Sequence, residues 1–335
     1  MSPYQPPFVG PSEALRSFLE ELEQAAASEA TVLMLGESGV GKAQAARLLH
    51  ERGCRREGPY VSVNLAATAA TLIESTLFGH ERGAFTDAHR RRQGLFQRAD
   101  GGTLVLEDVD LLPGDMQGKL LRVLQERRVE PLGAEDSLPV DVRVVSTSSA
   151  NLEDAMDAGD FRGDLYYRLA VVPLEVPPLR ARGDDLESLS EELAQGVSER
   201  TGVAARSLSK GACTMLRSHS WPGNVRELEN ALERVLVLAP KGTGSGGGMP
   251  IGPEEFDFLN EACAGIAEDV AGRALRHGLT VEVVTQAMMD GALHEQRGNV
   301  SAAARQVGLT RRAFDYRARR SYGSDADAAS EVVDP

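Results

Sequence analysis

A glycine-rich turn near the start of the chain has the residue types and spacing of a phosphate-binding loop. The run GESGVGKA follows an apolar stretch and precedes a helical pattern. Glycines let backbone N–H groups wrap a phosphate, the next helix N-terminus favours negative charge, and a lysine at this position reaches the β- and γ-phosphates. The alternative is a plain turn between a strand and a helix. We predict that ATP is bound by Gly36, Glu37, Ser38, Gly39, Val40, Gly41, Lys42 and Ala43.

Two acids follow the apolar run Thr103–Leu106, which reads as a strand. In such a layout one acid holds Mg²⁺ and the next orients the attacking water. Ala43 stands where the general motif has Ser or Thr, so the loop offers no hydroxyl to the metal. We predict that Glu107 is the Mg²⁺ ligand and that Asp108 is catalytic. The alternative is an acidic strand end at a solvated loop.

A basic segment near the end of the chain, Ser301–Arg320, holds six arginines and one acid. It reads as two helices that meet at Gly308, with Ser301 and Thr310 as N-caps. The second helix would present arginines to DNA phosphates or base edges. The alternative is a basic amphipathic helix that docks on the rest of the protein. We predict DNA contacts from Ser301, Arg305, Thr310, Arg311, Arg312, Tyr316, Arg317 and Arg319.

Short apolar runs alternate with helical patterns in the first half of the chain, which indicates an α/β domain with a mainly parallel sheet. After Pro177 the patterns are helical only. We predict strands at residues 31–35, 60–63, 103–106, 140–147 and 169–176. The predicted domains are an α/β core at 1–176, a helical lid at 177–240, a Gly-rich linker at 241–253, a helical DNA-binding domain at 254–322 with its helix-turn-helix at about 299–320, and a disordered acidic tail at 323–335.

Composition restricts the class of protein. The 335 residues carry a net charge of -14, so bulk charge argues against a protein that coats nucleic acid nonspecifically. Three scattered cysteines form no CxxC pair, which argues against a disulfide framework or a zinc site. The start lacks a signal-peptide pattern, and no apolar run approaches the roughly 20 residues that span a bilayer. We expect a cytoplasmic protein with no membrane partner.

Several sequence blocks resemble one family, the AAA+ sigma-54-dependent transcriptional activators, also called bacterial enhancer-binding proteins. The resemblance covers about Val9 to Leu238, in the family's order. Besides GESGVGK at 36–42, it is carried by LFGHERGAFTDA at 77–88, KLLRVLQE at 119–126, FRGDLYYRL at 161–169, PPLR at 177–180 and WPGNVRELEN at 221–230.

The resemblance implies an AAA+ P-loop NTPase core with a helical lid, and the C-terminal segment resembles the Fis-like helix-turn-helix found at the end of many such activators. It implies ATP hydrolysis with Mg²⁺, remodelling of sigma-54 RNA polymerase, and binding to upstream double-stranded DNA. It also implies ring hexamers, with dimers when inactive. A start directly at the ATPase resembles the phage shock protein F type of architecture, for which we expect control by a trans-acting regulatory protein or by abundance.

The family's functional residues carry over to matching positions. Asn64 matches a residue that holds the catalytic acid, Arg162 and Arg168 match arginines presented to the neighbouring subunit's ATP, and Arg226 matches the lid arginine that senses the γ-phosphate. Alternatively, Asn64 is a strand-end cap and the two arginines pair with surface acids. Phe85 and Thr86 match the tip of the sigma-contacting loop, although Phe85 packing at the loop base is an alternative. The predicted loop contacts are Gly83, Ala84, Phe85, Thr86, Asp87 and Ala88.

The sequence departs from the family pattern close to the chemistry. The acids stand in the order Glu107–Asp108 instead of Asp-Glu, Asp87 replaces a loop glycine, Ala43 replaces a glutamate, and Ser148–Ser149 stands where the family has Thr-Asn. These departures predict slow hydrolysis or restricted partners. They keep open a DNA-binding regulator whose AAA+ domain binds nucleotide but hydrolyses it weakly. A third hypothesis, an AAA+ motor that unwinds duplexes, is disfavoured by the loop at 83–88.

Overall fold

The computed structural model describes residues 8–84, 89–238, 249–296, 299–314 and 317–318, with the backbone alone at residues 260–269. The chain divides into two compact units, Met1–Phe256 and Asp257–Pro335. No helix among the described residues is long and apolar enough to cross a membrane.

The first unit is built on a parallel five-stranded sheet. Its strands are β1 (Val32–Leu35), β2 (Tyr60–Asn64), β5 (Thr103–Glu107), β8 (Arg143–Ser148) and β9 (Val172–Glu175). They lie in the order β2-β5-β8-β1-β9, and all neighbouring pairs are parallel. Short antiparallel pairs are formed by β3 (Gly79–His80) with β4 (Arg92–Gln93) and by β6 (Arg128–Val129) with β7 (Leu138–Pro139). The predicted parallel α/β sheet is confirmed, with the last two sheet strands shorter than expected.

Helices cover both faces of the sheet, which is why the inner strands β1 and β5 are buried and mostly apolar. The core helices are α1 (Glu13–Ala26), α2 (Lys42–Arg52), α3 (Ala70–Phe78), α4 (Leu95–Arg98), α5 (Gly114–Glu126), α6 (Leu152–Ala158) and α7 (Gly163–Leu169). Residues of α1 and α2 form one buried cluster with Val105 and Val145 of the sheet. Residues of α3, α5 and α7 form the cluster on the opposite face with Leu104 and Leu106. Successive side chains along β5 therefore point to opposite faces of the sheet, with Val105 on one face and Leu104 and Leu106 on the other.

The lid consists of α8 (Leu186–Thr201), α9 (Lys210–Ser218) and α10 (Asn224–Leu238), joined to the sheet by a 3₁₀ segment at Leu179–Asp185. Trp221 is fully buried in the lid, and its indole Nε1 donates to the carbonyl of Leu216 at 2.8 Å. This burial makes Trp221 a core anchor of the lid.

The end of the predicted linker lies against the lid. Ile251 is fully buried, and its backbone exchanges hydrogen bonds with Ser207 (2.8 Å) and Ser209 (2.9 Å). The Arg206 guanidinium pairs with both carboxylate oxygens of Glu255, at 2.7 and 2.9 Å. A 3₁₀ turn follows at Pro253–Phe256 and ends the first unit. Residues 249–256 thus have fixed contacts with the lid.

The second unit contains α11 (Asp257–Arg276), α12 (Val281–Glu295) and α13 (Val300–Gln306), followed by a helical turn at residues 311–314. Among the described residues, its buried hydrophobic cluster comprises Met289, Ala292, Ala303, Ala304 and Phe314. The all-α helix-turn-helix unit is the expected one.

One prediction about this unit is wrong. The N-cap of α13 is Asn299, whose Oδ1 accepts from the backbone N–H of Ala302 at 3.1 Å, and Ser301 lies inside the helix. Asparagine caps at least as well as serine, so an Asn two residues earlier starts the helix earlier.

Candidate functional site

A cavity of about 180 Å³ lies at the carboxyl edge of the sheet, where β1, β5 and β8 end. Parallel strands deliver their C-terminal residues to one edge, which is where α/β folds bind ligands. The cavity is lined by Ser38, Gly39, Gly41, Lys42, Ala43, Gln44, Asn64, Glu107, Asp108, Thr147, Ser149, Val225, Arg226 and Glu229.

The loop between β1 and α2 needs glycine where the prediction placed it. Gly41 has φ +104 and Gly39 has φ +80, in the left-handed region that side chains disfavour. A Cβ at Gly39 would also lie 2.2 Å from the carbonyl oxygen of Gly223 in the lid. Five of the eight predicted loop residues line the cavity, whereas Gly36, Glu37 and the buried Val40 do not.

Lys42 begins α2 and is buried. Its ammonium donates to the carbonyls of Gly36 (2.8 Å) and Glu37 (3.0 Å) and to the hydroxyl of Ser149 (2.7 Å). Burial lowers the pKa of Lys42 from its usual value, and the nearby Asp108 carboxylate opposes that shift. An ammonium has three donors, so a bound phosphate has to replace some of these acceptors.

Asp108 is held at the end of β5 by two neighbours. The amide of Asn64 donates to the Asp108 carboxylate at 3.0 Å, and the Asp108 backbone N–H donates to the Thr147 hydroxyl at 3.2 Å. The same Asn64 side chain accepts from the backbone N–H of Ala67 at 2.8 Å. Asn64 therefore makes both contacts that the sequence left as alternatives, the one to the acid and the one that caps the strand end.

Glu107 is the last residue of β5 and lines the cavity. It lies two residues after Val105, which packs in the cluster with α2, so alternation directs Glu107 to the side of the sheet where Lys42 lies. Carboxylate oxygens suit Mg²⁺, which keeps several waters and takes few protein ligands. The described residues contain no cluster of three metal-ligating side chains, and Ala43 adds no oxygen. Glu107, with water and phosphate oxygens as the other ligands, therefore fits this metal.

The serines at the end of β8 have separate partners. The Ser149 hydroxyl accepts from Lys42, whereas the Ser148 hydroxyl donates to the Asp110 carboxylate at 2.8 Å. Sequence reasoning did not identify Thr147 as a contact of the catalytic strand end. The feature of the sequence that could have identified Thr147 is its position one residue before Ser148, on a strand that ends at the same edge of the sheet as β5.

Arg226 approaches the cavity from the lid. It belongs to the first turn of α10, is exposed and lines the cavity. Its backbone N–H and that of Val225 point at the carbonyl of Gly39, at 3.4 and 3.1 Å. Glu229, one turn further along, also lines the cavity, and Arg200 donates to its carboxylate at 2.8 Å. The lid thus adds a guanidinium to the lining of the cavity.

Arg162 and Arg168 do not line the cavity of their own chain. The Arg162 guanidinium pairs with Asp164 at 2.7 Å, as the alternative interpretation expected, and both side chains are about half exposed. Arg168 donates to the carbonyl of Leu124 at 2.9 Å. One chain alone therefore does not bring these arginines to the nucleotide cavity.

The base of the predicted sigma-contacting loop packs against the turn between β6 and β7. The Glu81 N–H donates to the Leu132 carbonyl at 2.9 Å, and a Cβ at Gly133 would lie 3.0 Å from that of Ala84. Gly83 has φ +84. The remaining predicted contacts, Phe85, Thr86, Asp87 and Ala88, lie outside the described residues.

The predicted DNA-contacting residues that the structure describes lie before and after the turn at Gly308, where φ is +70. As predicted, Thr310 caps the next helical turn by accepting from Ala313 N–H at 3.2 Å. Ser301 is half-buried on α13, and Tyr316 and Arg319 lie outside the described residues. The exposed arginines are Arg305, Arg311, Arg312 and Arg317.

Three family models match successive parts of the chain. Residues 8–175 match the sigma-54 interaction domain, residues 180–245 match the AAA+ ATPase lid domain, and residues 280–320 match the bacterial regulatory proteins of the Fis family.

Relatives match over nearly the whole chain. It is 43% identical over 313 residues to the nitric oxide reductase transcription regulator NorR2 of Cupriavidus necator, which covers 90% of this chain and 60% of that protein. It is 41% identical over 309 residues to the transcriptional regulatory protein ZraR of Escherichia coli, with 91% and 66% covered. The chain thus spans less than two thirds of the length of these relatives.

The fold resembles the crystal structure of NtrX from Brucella abortus, with a TM-score of 0.68 and 32% identity over 93% of this chain and 68% of that one. A structure of NtrX in complex with ATP gives the same TM-score and identity, with 92% and 68% covered.

Proposed function

The chain belongs to the family of sigma-54-dependent transcriptional regulators, and from that premise we propose that it hydrolyses ATP to remodel sigma-54 RNA polymerase. The observation that carries the proposal is the arrangement of Lys42, Asp108 and Arg226 around one cavity. A lysine and an arginine neutralise phosphate charge from opposite sides, and a carboxylate beside them orients water.

Binding of ATP would redirect the Lys42 ammonium from Gly36, Glu37 and Ser149 toward the phosphates. Glu107 would hold Mg²⁺, which neutralises charge on the phosphates when it is bound. Asp108 would orient the attacking water once the Asn64 amide releases its carboxylate. The Asn64–Asp108 hydrogen bond therefore describes a resting site.

Assembly would complete the site. Arg162 and Arg168 lie outside the cavity of their own chain and have exposed side chains, as residues that serve a neighbouring subunit need to. An arginine supplied in trans makes hydrolysis depend on oligomerisation. We therefore propose a closed hexameric ring as the active form and dimers as the inactive one.

Two further surfaces would connect the ATPase to transcription. The loop at 83–88 would contact the sigma factor, and the exposed arginines around Gly308 would bind upstream double-stranded DNA. The proposed domains are those set out from the sequence, except that residues 249–256 are assigned to the lid because Ile251 and Phe256 are buried and the first unit ends at Phe256.

A second function is favoured by one contact. Ser149 accepts a hydrogen bond from Lys42, and Ala43 offers no metal ligand, so the resting site satisfies its lysine without nucleotide. These features suit a DNA-binding regulator that binds nucleotide and hydrolyses it weakly.

Steady-state ATP hydrolysis as a function of protein concentration separates the two functions. Lys42→Ala and Asp108→Ala each remove a group that acts on the reacting phosphate, so turnover should fall by about 10²-fold or more. Lys210→Ala and Asp115→Ala change exposed residues of the same types away from the cavity and are the matched controls.

Turnover that rises cooperatively with concentration, disappears in both site variants and survives in both controls supports the ATPase. Nucleotide binding without turnover above the Lys42→Ala background rejects it in favour of the regulator. The remodelling step is tested by open-complex formation at a sigma-54 promoter, which should require hydrolysable ATP.

A further inference from the structure

We infer that Asn224 is a positioning residue that locks the lid onto the phosphate-binding loop and thereby sets Arg226 over the cavity. The inference rests on the proposed function only in taking ATP as the ligand. It concerns how the site is held together, not whether ATP is hydrolysed.

The side chain of Asn224 joins three segments. Its Oδ1 accepts from the backbone N–H of Leu179 at 2.8 Å, just after the sheet ends. Its Nδ2 donates to the carbonyl of Ser38 and to the carboxylate of Glu37, both at 3.0 Å and both in the phosphate-binding loop. Asn224 itself begins α10 of the lid. One amide therefore ties the loop, the connection and the lid together.

Asn224 is fully buried, so its hydrogen-bonding groups have no access to water. The two N–H donors and the carbonyl oxygen all have partners, which is the arrangement that buried amides require. Its backbone has φ +52, a left-handed conformation that asparagine tolerates better than most residues do. Both the side-chain chemistry and the backbone therefore favour asparagine at this position.

An ordinary helix cap does not explain these contacts. A capping side chain accepts from a backbone N–H two or three residues later in its own helix. The Asn224 oxygen instead accepts from Leu179, and its nitrogen donates to residues more than 180 positions away. The side chain is directed at the core and not at the first turn of α10.

The Glu37 carboxylate that Asn224 contacts is also held by an arginine. Arg180 donates to both of its carboxylate oxygens, one at 2.7 Å, and this contact lowers the pKa of Glu37 against the opposing effect of burial. The Asn224 amide lowers that pKa further. Because the Glu37 side chain does not line the cavity, its carboxylate serves the lid contact and leaves the phosphates to Lys42.

Next to the Asn224 side-chain contacts, backbone hydrogen bonds also join the lid to the phosphate-binding loop. Val225 N–H donates to the carbonyl of Gly39 at 3.1 Å, and Gly39 has no room for a Cβ against Gly223. Arg226 is the next residue. Its position at the cavity therefore follows from the contacts made by the two residues before it.

Binding of a fluorescent ATP analogue with Mg²⁺ tests this inference without requiring hydrolysis. Asn224→Asp keeps the shape and the backbone but places a second carboxylate beside Glu37, and Asn224→Gly keeps the backbone and removes the amide. Each should weaken binding about tenfold, which corresponds to roughly 1.4 kcal/mol. Asn230→Asp makes the same change at an exposed position of the same helix and should bind like the wild type.

The decisive measurement is a double-mutant cycle with Arg226→Ala. If Asn224 positions Arg226, then Arg226→Ala weakens binding in the wild type but has little further effect in Asn224→Asp or Asn224→Gly. Glu37→Gln combined with Asn224→Asp reverses the hydrogen bond between these two side chains, so that the residue at position 37 donates and the residue at position 224 accepts. The double variant should recover part of the binding affinity, and Arg226→Ala should again weaken binding in it. Additive losses, or wild-type affinity in both Asn224 variants, overturn the inference.

The single tryptophan of the chain, Trp221, is buried in the lid and reports whether the lid stays folded. Unchanged tryptophan emission in the Asn224 variants, together with non-additive binding, supports positioning. An unfolded-type emission that Glu37→Gln does not reverse overturns it in favour of a purely structural role. A wild-type protein that binds but does not hydrolyse ATP rejects the proposed activity and leaves this binding test intact.

Discussion

The two units hold their candidate functional residues in opposite ways. In the first unit, Lys42, Asn64 and Asp108 make hydrogen bonds to other groups of the chain, and the strands β1 and β5 that lead to Lys42 and Asp108 are buried. In the second unit, arginines such as Arg305 and Arg312 are exposed around a hydrophobic cluster in which five of the described residues are buried. The first unit depends on side-chain geometry, whereas the second depends on surface charge and on a small fold that presents it.

This difference predicts how each unit responds to change. A site made of mutual hydrogen bonds loses function when one partner is moved by about 1 Å, because the geometry is shared. A surface that binds DNA phosphates loses affinity contact by contact. Stability should differ as well, since a unit of about 80 residues with a small core has little free energy of unfolding to lose.

The largest expected difference comes from removing one large buried ring from each unit. Phe314→Ala and Trp221→Ala should each cost about 3–5 kcal/mol. That loss should unfold the second unit outright, because such a unit is stabilised by only about 3–5 kcal/mol. The larger first unit should stay folded with a lower melting temperature. Calorimetry with far-UV circular dichroism measures the folding of the second unit and the melting temperature of the first. If the second unit stays folded in Phe314→Ala, the expected difference in stability between the two units is wrong.

A buried ion pair should be the next most sensitive feature. Asp185 is fully buried, pairs with Arg182 at 2.8 Å, and accepts from the Ser12 hydroxyl at 2.6 Å. Asp185→Ala should cost about 3–5 kcal/mol of unfolding free energy, because it leaves a buried charge without its partner. Denaturant titration measures this change.

The exposed neighbour Asp184 provides the matched control, and Asp184→Ala should stay within about 0.5 kcal/mol of the wild type. Equal losses in the two variants would show that burial of Asp185 does not set the effect.

In the second unit, Arg312→Ala should leave ATP hydrolysis unchanged and weaken DNA binding. If Arg312 contacts one phosphate, the slope of log affinity against log salt should fall by about 0.9. Fluorescence anisotropy at several salt concentrations measures this slope. Arg276→Ala, which removes an exposed arginine from α11, is the comparison. A steeper or unchanged slope for Arg312→Ala would argue that this helix docks elsewhere.

Much of this contrast was predictable from sequence because it follows from local patterns. Apolar runs that end in glycines or acids predicted the parallel sheet, the phosphate-binding loop at Lys42 and the acids at the end of β5. Contacts that depend on the tertiary fold were not predictable. Asn224 lies almost 190 residues from Glu37 along the chain, and Ser149 over 100 from Lys42. Their partners are set by strand order and lid closure, which no spacing in the sequence encodes.

The smallest expected effect concerns the helix cap that the sequence placed wrongly. Asn299→Ala should destabilise the second unit by about 1 kcal/mol, because it leaves the Ala302 N–H without its acceptor. Ser301→Ala, inside the same helix, should change stability by a few tenths of a kcal/mol in the stabilising direction, because alanine has the higher helix propensity. Thermal unfolding of the second unit compares the two variants. If Ser301→Ala proves the more destabilising, the helix begins at Ser301 after all, and α13 is shorter at its first turn than the structure has it.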